Sequence, residues 1–229
     1  MRGATGCTGF FVSLALLVPD AVAGSDRRVS YSFRLQEVRP GCSEDGVGYP
    51  VTVVVRVAVT NLSSGPLIVS REFSAAPYYR VAASTEKAVV GEYEAKGGDL
   101  EVQAAEVPEP EFGPAPDLGR FAVVQPGATY ETDVRTGFLG GNRRALEELA
   151  PGRTAGFVLP GHHVIQSTIR TWPYVFVKRG TVERLRRQWK PIGDLVASSV
   201  RSPFLSFELP DVTTKCEAAE RASSRRTRG

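Results

Sequence analysis

Residues 51–61, Val-Thr-Val-Val-Val-Arg-Val-Ala-Val-Thr-Asn, commit the chain to an extended conformation more firmly than any other stretch. β-Branched side chains dominate the run, which stops at Asn61-Leu62-Ser63-Ser64-Gly65-Pro66, a turn by composition. Every odd position from Val51 to Val59 is valine, whereas the even positions run Thr52, Val54, Arg56, Ala58 and Thr60. A strand with this period of two has one face apolar throughout and one that turns polar, so it belongs in a sheet packed against a second layer.

Other segments extend the pattern. Residues 29–36 alternate apolar and polar and end at Arg39-Pro40-Gly41-Cys42. Leu67-Ile68-Val69 follows the turn closely enough either to return beside the valine strand or to cross to the facing sheet. Tyr79-Arg80-Val81, Ala88-Val89-Val90 and Leu100-Glu101-Val102 read as short strands, with a turn at Lys96-Gly97-Gly98-Asp99. Phe121-Ala122-Val123-Val124 and residues 130–134 read as a strand pair about Gln125-Pro126-Gly127. Gly137-Phe138-Leu139-Gly140-Gly141-Asn142 reads as a turn, since it lacks the continuation a phosphate loop needs. Residues 144–149 form a short helical stretch, residues 162–170 and 174–177 further strands, and residues 202–210 a closing edge strand. Strands at this spacing with little helix predict an all-β fold, an immunoglobulin-like antiparallel β-sandwich of roughly seven to nine strands.

Two segments depart from that plan. Residues 107–117 contain Pro108, Pro110, Pro114 and Pro116, a density that removes backbone donors and favours an extended loop around Phe112. Residues 181–190 change period: Val182, Leu185 and Trp189 fall on one helical face, with Arg184, Arg186, Arg187 and Lys190 around the rest. The apolar residues suit docking over an open end of the sandwich, and the arginines suit an anionic surface or acidic partner. Arg184, Arg186, Arg187, Trp189 and Phe112 are therefore the candidate binding residues.

Met1-Arg2, an apolar run from Phe10 to Val18 and Ala21-Val22-Ala23 predict a signal peptide over residues 1–23; the apolar run, broken by Pro19-Asp20, is shorter than the roughly 20 apolar residues a membrane span requires. Its removal takes Cys7 and leaves Cys42 and Cys216, an even number in an exported chain, which predicts one disulfide. Closing so long a loop is worth about 4 to 5 kcal/mol by the chain-entropy argument. Residues 24–214 form the sandwich domain, and residues 215–229 a basic, disordered tail. That tail carries the whole formal surplus of +3, so the body is neutral and no specific nucleic-acid binder.

The reactive inventory is short. His162 and His163, the two histidines, are adjacent, and on a strand they point to opposite faces, which keeps them from sharing one metal ion. One should pack and the other meet water. No serine lies in a Gly-x-Ser-x-Gly turn, and no carboxylate pair stands out. Asn61-Leu62-Ser63 is formally a glycosylation acceptor at an expected surface turn.

The valine strand with its Asn61-Leu62-Ser63-Ser64-Gly65-Pro66-Leu67 turn, the Gln125-Pro126-Gly127 turn, Pro160-Gly161 opening a strand and the closing Val200-Arg201-Ser202-Pro203-Phe204-Leu205-Ser206-Phe207 resemble secreted bacterial immunoglobulin-like sandwiches. In outline they are similar to the domain type named after a Bacillus intracellular proteinase inhibitor. The resemblance runs from the valine strand to the closing strand and implies a fold; no inhibitory residue is carried over. The expectation is a non-catalytic, secreted or periplasmic binding module with no cofactor and no metal. Its partner is a protein or an anionic envelope component, and no transmembrane segment remains after the leader. Its alternatives are a secreted protease inhibitor and a hydrolase.

Overall fold

In the computed structural model, residues 27–42, 48–97, 111–141, 156–174 and 180–211 are described. The expected leader, the helix at 144–149, the strands at 100–102 and 175–177, Cys216 and the basic tail lie outside them. The fold is all-β. The valine run sits in β2 (Gly48–Asn61), which pairs antiparallel with β1 (Val29–Pro40) on one side and β7 (Thr129–Gly141) on the other. β8 (Phe157–Val158) adds to β7 in parallel, giving the order β1-β2-β7-β8. A second sheet holds β4 (Ser74–Ala82), β5 (Ala95–Lys96), β9 (Gly161–Arg170) and β11 (Ser199–Arg201) in the order β11-β9-β4-β5. β12 (Leu205–Leu209) pairs with β9 beyond the end of β11. A third sheet, β10-β3-β6, contains β3 (Leu67–Ser70), β6 (Phe121–Val124) and β10 (Asp194–Leu195). The chain thus leaves β2 for another sheet, resolving the choice left open for Leu67-Ile68-Val69.

The odd valines of β2 are all buried, and with Val134 and Phe138 of β7 they share one core with Val81, Ile165, Ile169, Phe207 and Leu209 of the facing sheet. Burying each such valine is worth about 1.5 kcal/mol or more, an upper bound because an unfolded chain already hides some surface. In β1 the inward residues are Val29, Tyr31, Phe33, Leu35 and then Val38, an offset of three. A bulge between Leu35 and Glu37 absorbs the extra residue and returns Val38 to the inward face.

Several local expectations are corrected. Ala88 belongs to a one-turn helix, α1 (Thr85–Val89), not a strand, because Ser84 caps it by accepting from the Lys87 amide. Lys96 lies in β5 rather than in a turn. β6 and β7 pair with β3 and β2 respectively, not with each other. Gly137, Gly140 and Gly141 lie inside β7. Gly137 and Gly140 are there for close approach, since a Cβ at Gly140 would stand 2.3 Å from the Tyr49 ring and one at Gly137 would stand 2.9 Å from the Val51 carbonyl.

The acceptor sequence at Asn61 is also reread. Asn61 is fully buried; its amide donates to the carbonyls of Gly65 at 2.9 Å and Val124 at 2.8 Å, and its Oδ1 accepts from the Ser63 backbone and hydroxyl. It is a brace tying the turn to β6, with no free nitrogen for sugar. Cys42 is disulfide-bonded, and Cys216, its expected partner, lies outside the described residues.

Candidate functional site

The alternation of β9 divides its residues between two environments. His163, Ile165, Ser167 and Ile169 point inward and are buried, leaving Gln166, Thr168 and Arg170 on the outer face. Register then brings cations to that face from three other strands. Arg80 of β4 stands opposite Gln166 and also opposite Lys96 of β5, while Arg201 of β11 stands opposite Thr168. Opposed residues share a face, so Arg80, Lys96 and Arg201 border a common floor of Gln166 and Thr168. Next to it, Ala88 of α1 packs on Ala82 and Val164 and covers the adjoining part of the face.

Arg80, Lys96, Gln166, Thr168 and Arg201, with Tyr79 and Gly97, line a cleft of about 350 Å³. Tyr93 holds two of its cations: the Arg80 guanidinium carbon lies 5.3 Å and the Lys96 ammonium 4.9 Å from its ring centroid. Arg80 also donates to the Tyr93 hydroxyl at 3.4 Å. A ring quadrupole orients a cation without neutralising it. Among the described residues, no carboxylate comes within 4.0 Å of Arg80, Lys96 or Arg201. Tyr79 borders the cleft from β4 but, opposite Ser167, turns its ring to the core side near Phe138, where burial pushes its hydroxyl above the ordinary value.

The residues singled out by sequence lie elsewhere. Helix α2 (Thr181–Trp189) buries Thr181, Leu185 and Trp189 and exposes Arg184, Arg186 and Arg187. Arg184 donates to Gln188 and Arg186 to the Ala197 carbonyl, each at 3.2 Å. Trp189 is not a surface residue: its ring meets Phe121 at 5.0 Å and Phe112 at 6.2 Å, and its indole nitrogen donates to the Gly113 carbonyl at 3.2 Å. Phe112 is half-buried against Trp172, Tyr174, Phe121 and Trp189. The two aromatic candidates are thus brought together, as parts of a packed cluster that fastens α2 rather than as a contact tip. Sequence reasoning did not foresee Trp172 and Phe121 in that cluster, nor any residue of the cleft.

The histidines separate as their adjacency requires. His162 is exposed, 3.7 Å from Glu208, whereas His163 is buried with Nε2 2.7 Å from the Leu159 carbonyl. Its Nδ1 lies 2.8 Å from Glu94 Oε2, close but without hydrogen-bond alignment. No helix among the described residues is long and apolar enough to cross a membrane.

No protein-family model matches the chain, and no curated protein matches it. Among solved structures, one described as "X-ray structure of Northeast Structural Genomics Consortium target SoR45" is similar over 82% of this chain and 91% of its own. With 7% identity and a TM-score of 0.31, that likeness carries no argument about fold or activity.

Proposed function

We propose that this protein is a non-catalytic, exported binding module. In this reading an immunoglobulin-like β-sandwich, tied by a Cys42–Cys216 disulfide, holds an anionic protein or envelope component against the outer face of its β4–β9–β11 sheet. The observation that carries it is the cleft, where three cations from separate strands meet around a polar floor without a carboxylate among the described residues. Cations drawn together at that cost in mutual repulsion are relieved when an anion arrives. The histidines support the same reading, because the two rings face opposite sides of the sheet and one is buried against a backbone carbonyl.

The test is capture from envelope and medium fractions on the immobilised mature chain. A specific partner retained by the native protein and lost on Arg80→Gln or Arg201→Gln supports the reading. Retention by both variants, or loss only when Arg184, Arg186 and Arg187 become alanine, moves the working surface to α2.

A second reading, inhibition of a secreted protease, is favoured by one feature. Leu62 is 61% exposed at the tip of a turn that Asn61 braces from beneath, and a protease needs such an exposed, pre-ordered residue to be blocked by. Stoichiometric inhibition that disappears on Leu62→Ala would support it, and indifference of a broad protease panel would remove it.

A further inference from the structure

We infer that the ligand of the cleft is a phosphoryl group carried on a small hydroxylated body, such as a sugar phosphate. This rests on the cleft being the binding surface. Charge matching comes first. A phosphate monoester brings a charge of about −1.5 to −2 and three acceptor oxygens, whereas a lone carboxylate brings −1 and leaves most of a three-cation site uncompensated. Two of the cations are arginines, whose planar forks match oxyanions.

Geometry comes second. Arg80 and Arg201 flank β9 from either side and are offset by two residues along it, so their backbones stand roughly 10 to 12 Å apart. Two long side chains span that distance and can meet one group above Gln166 and Thr168, with Lys96 beside Arg80. Size comes third. The volume of about 350 Å³ falls within the range of small-ligand sites and exceeds what a bare oxyanion fills. Gln166 and Thr168 offer neutral donors and acceptors to the remainder, which suits hydroxyl groups better than an apolar tail.

The experiment titrates the mature protein with glucose 6-phosphate, glucose and inorganic phosphate, followed by amide NMR shifts and calorimetry. The expected result is saturable glucose 6-phosphate binding, with shifts centred on residues 79–80, 96–97, 166–168 and 201. Arg80→Gln and Arg201→Gln should each weaken it by about tenfold, as expected for removing a charge-assisted pair. Thr168→Val should weaken the sugar phosphate more than inorganic phosphate. Arg186→Gln and Arg187→Gln, exposed on α2, should leave affinity unchanged; equal weakening there would mean general charge attraction and overturn the assignment. Absence of saturable binding at millimolar concentration overturns it too, as does binding that appears only after Asp99, Glu101, Glu106 and Glu109 are all neutralised.

Vesicles containing phosphatidic acid, set against phosphatidylcholine alone, identify the source. Binding that Arg201→Gln abolishes assigns the phosphoryl group to a lipid headgroup, and vesicle indifference alongside glucose 6-phosphate binding assigns it to a free ligand. A captured envelope partner that depends on Arg80 and Arg201 but is not displaced by glucose 6-phosphate would overturn the phosphoryl assignment and leave the binding-module reading standing. Cleft-dependent glucose 6-phosphate binding with no captured partner would do the reverse.

Discussion

Replacing Asn61 with alanine tests whether the turn after β2 is a structural brace. The substitution removes four contacts at once: amide donation to the Gly65 and Val124 carbonyls, and acceptance from the Ser63 backbone and hydroxyl. Gly65 keeps a partner, because the Ser63 hydroxyl lies 2.8 Å from its carbonyl. Val124 keeps one as well, since antiparallel pairing sets its carbonyl opposite the Leu67 amide, although the side-chain bond lost there is buried. The two amide bonds lost are worth about 0.5 to 1.5 kcal/mol each, and the partly buried Ser63 amide adds about 1, so the expected loss is about 2 to 4 kcal/mol. With a urea slope of about 2 kcal/mol/M, the unfolding midpoint should fall by about 1 to 2 M. Asn61→Asp sharpens the test, because its carboxylate keeps the acceptors but turns a charge toward two carbonyls. Burial and those carbonyls would raise its folded pKa above the unfolded value, so its deficit should be largest near neutral pH and should shrink on acidification. Urea titrations at pH 7 and pH 5 measure both effects. A midpoint shift below about 0.3 M for Asn61→Ala, or an Asn61→Asp protein as stable as the native one at pH 7, would refute the bracing argument.

Three further outcomes follow from the packing. Gly140→Ala places a methyl carbon against the buried Tyr49 ring and should cost about 1 to 3 kcal/mol in the same urea assay. Leu185→Ala empties a fully buried position under α2 and should cost about 2 to 5 kcal/mol. Both tryptophans of the chain lie in that cluster, so their fluorescence should shift to the red if the helix loosens. Hydrogen bonding from Arg56 at 2.8 and 3.0 Å holds the Asp133 carboxyl below its ordinary range. A depressed folded pKa contributes stability above the unfolded value, near 3.9, that disappears as pH falls through the folded one. The stability gap between native and Asp133→Asn proteins should therefore close on acidification. Because both side chains are well exposed, that gap should be small and weakened by salt.

How far the fold was legible depended on whether a signal was local. The valine face of β2 and the split of His162 from His163 follow from period alone, and burial agrees with both. The helix at residues 181–189 was equally plain, because its apolar residues repeat at helical spacing. The glycines of β7 misled because a glycine run reads the same whether it turns the chain or admits a neighbour. Only the Tyr49 ring, from a strand some 90 residues earlier, tells the two apart. Asn61 misled similarly: a sequence rule for glycosylation assumes exposure, and the Val124 carbonyl that buries it lies in a strand of another sheet.

The candidate site was illegible for a stronger reason. Arg184, Arg186 and Arg187 sit within four positions and look like a patch on the page, yet two of them spend donors on the protein's own oxygens. Arg80, Lys96 and Arg201 are spread over more than a hundred residues, and each alone is an ordinary outward residue of a short strand. What makes them a site is register. Shifting β11 by one residue against β9 would turn Arg201 inward and Val200 out, leaving the composition untouched while dismantling the cleft. That register is held from the opposite face, where Val200 and Ile169 pack into the common core. The cations are therefore positioned by the same apolar alternation that β2 announces, acting across strands that the sequence gives no means to pair.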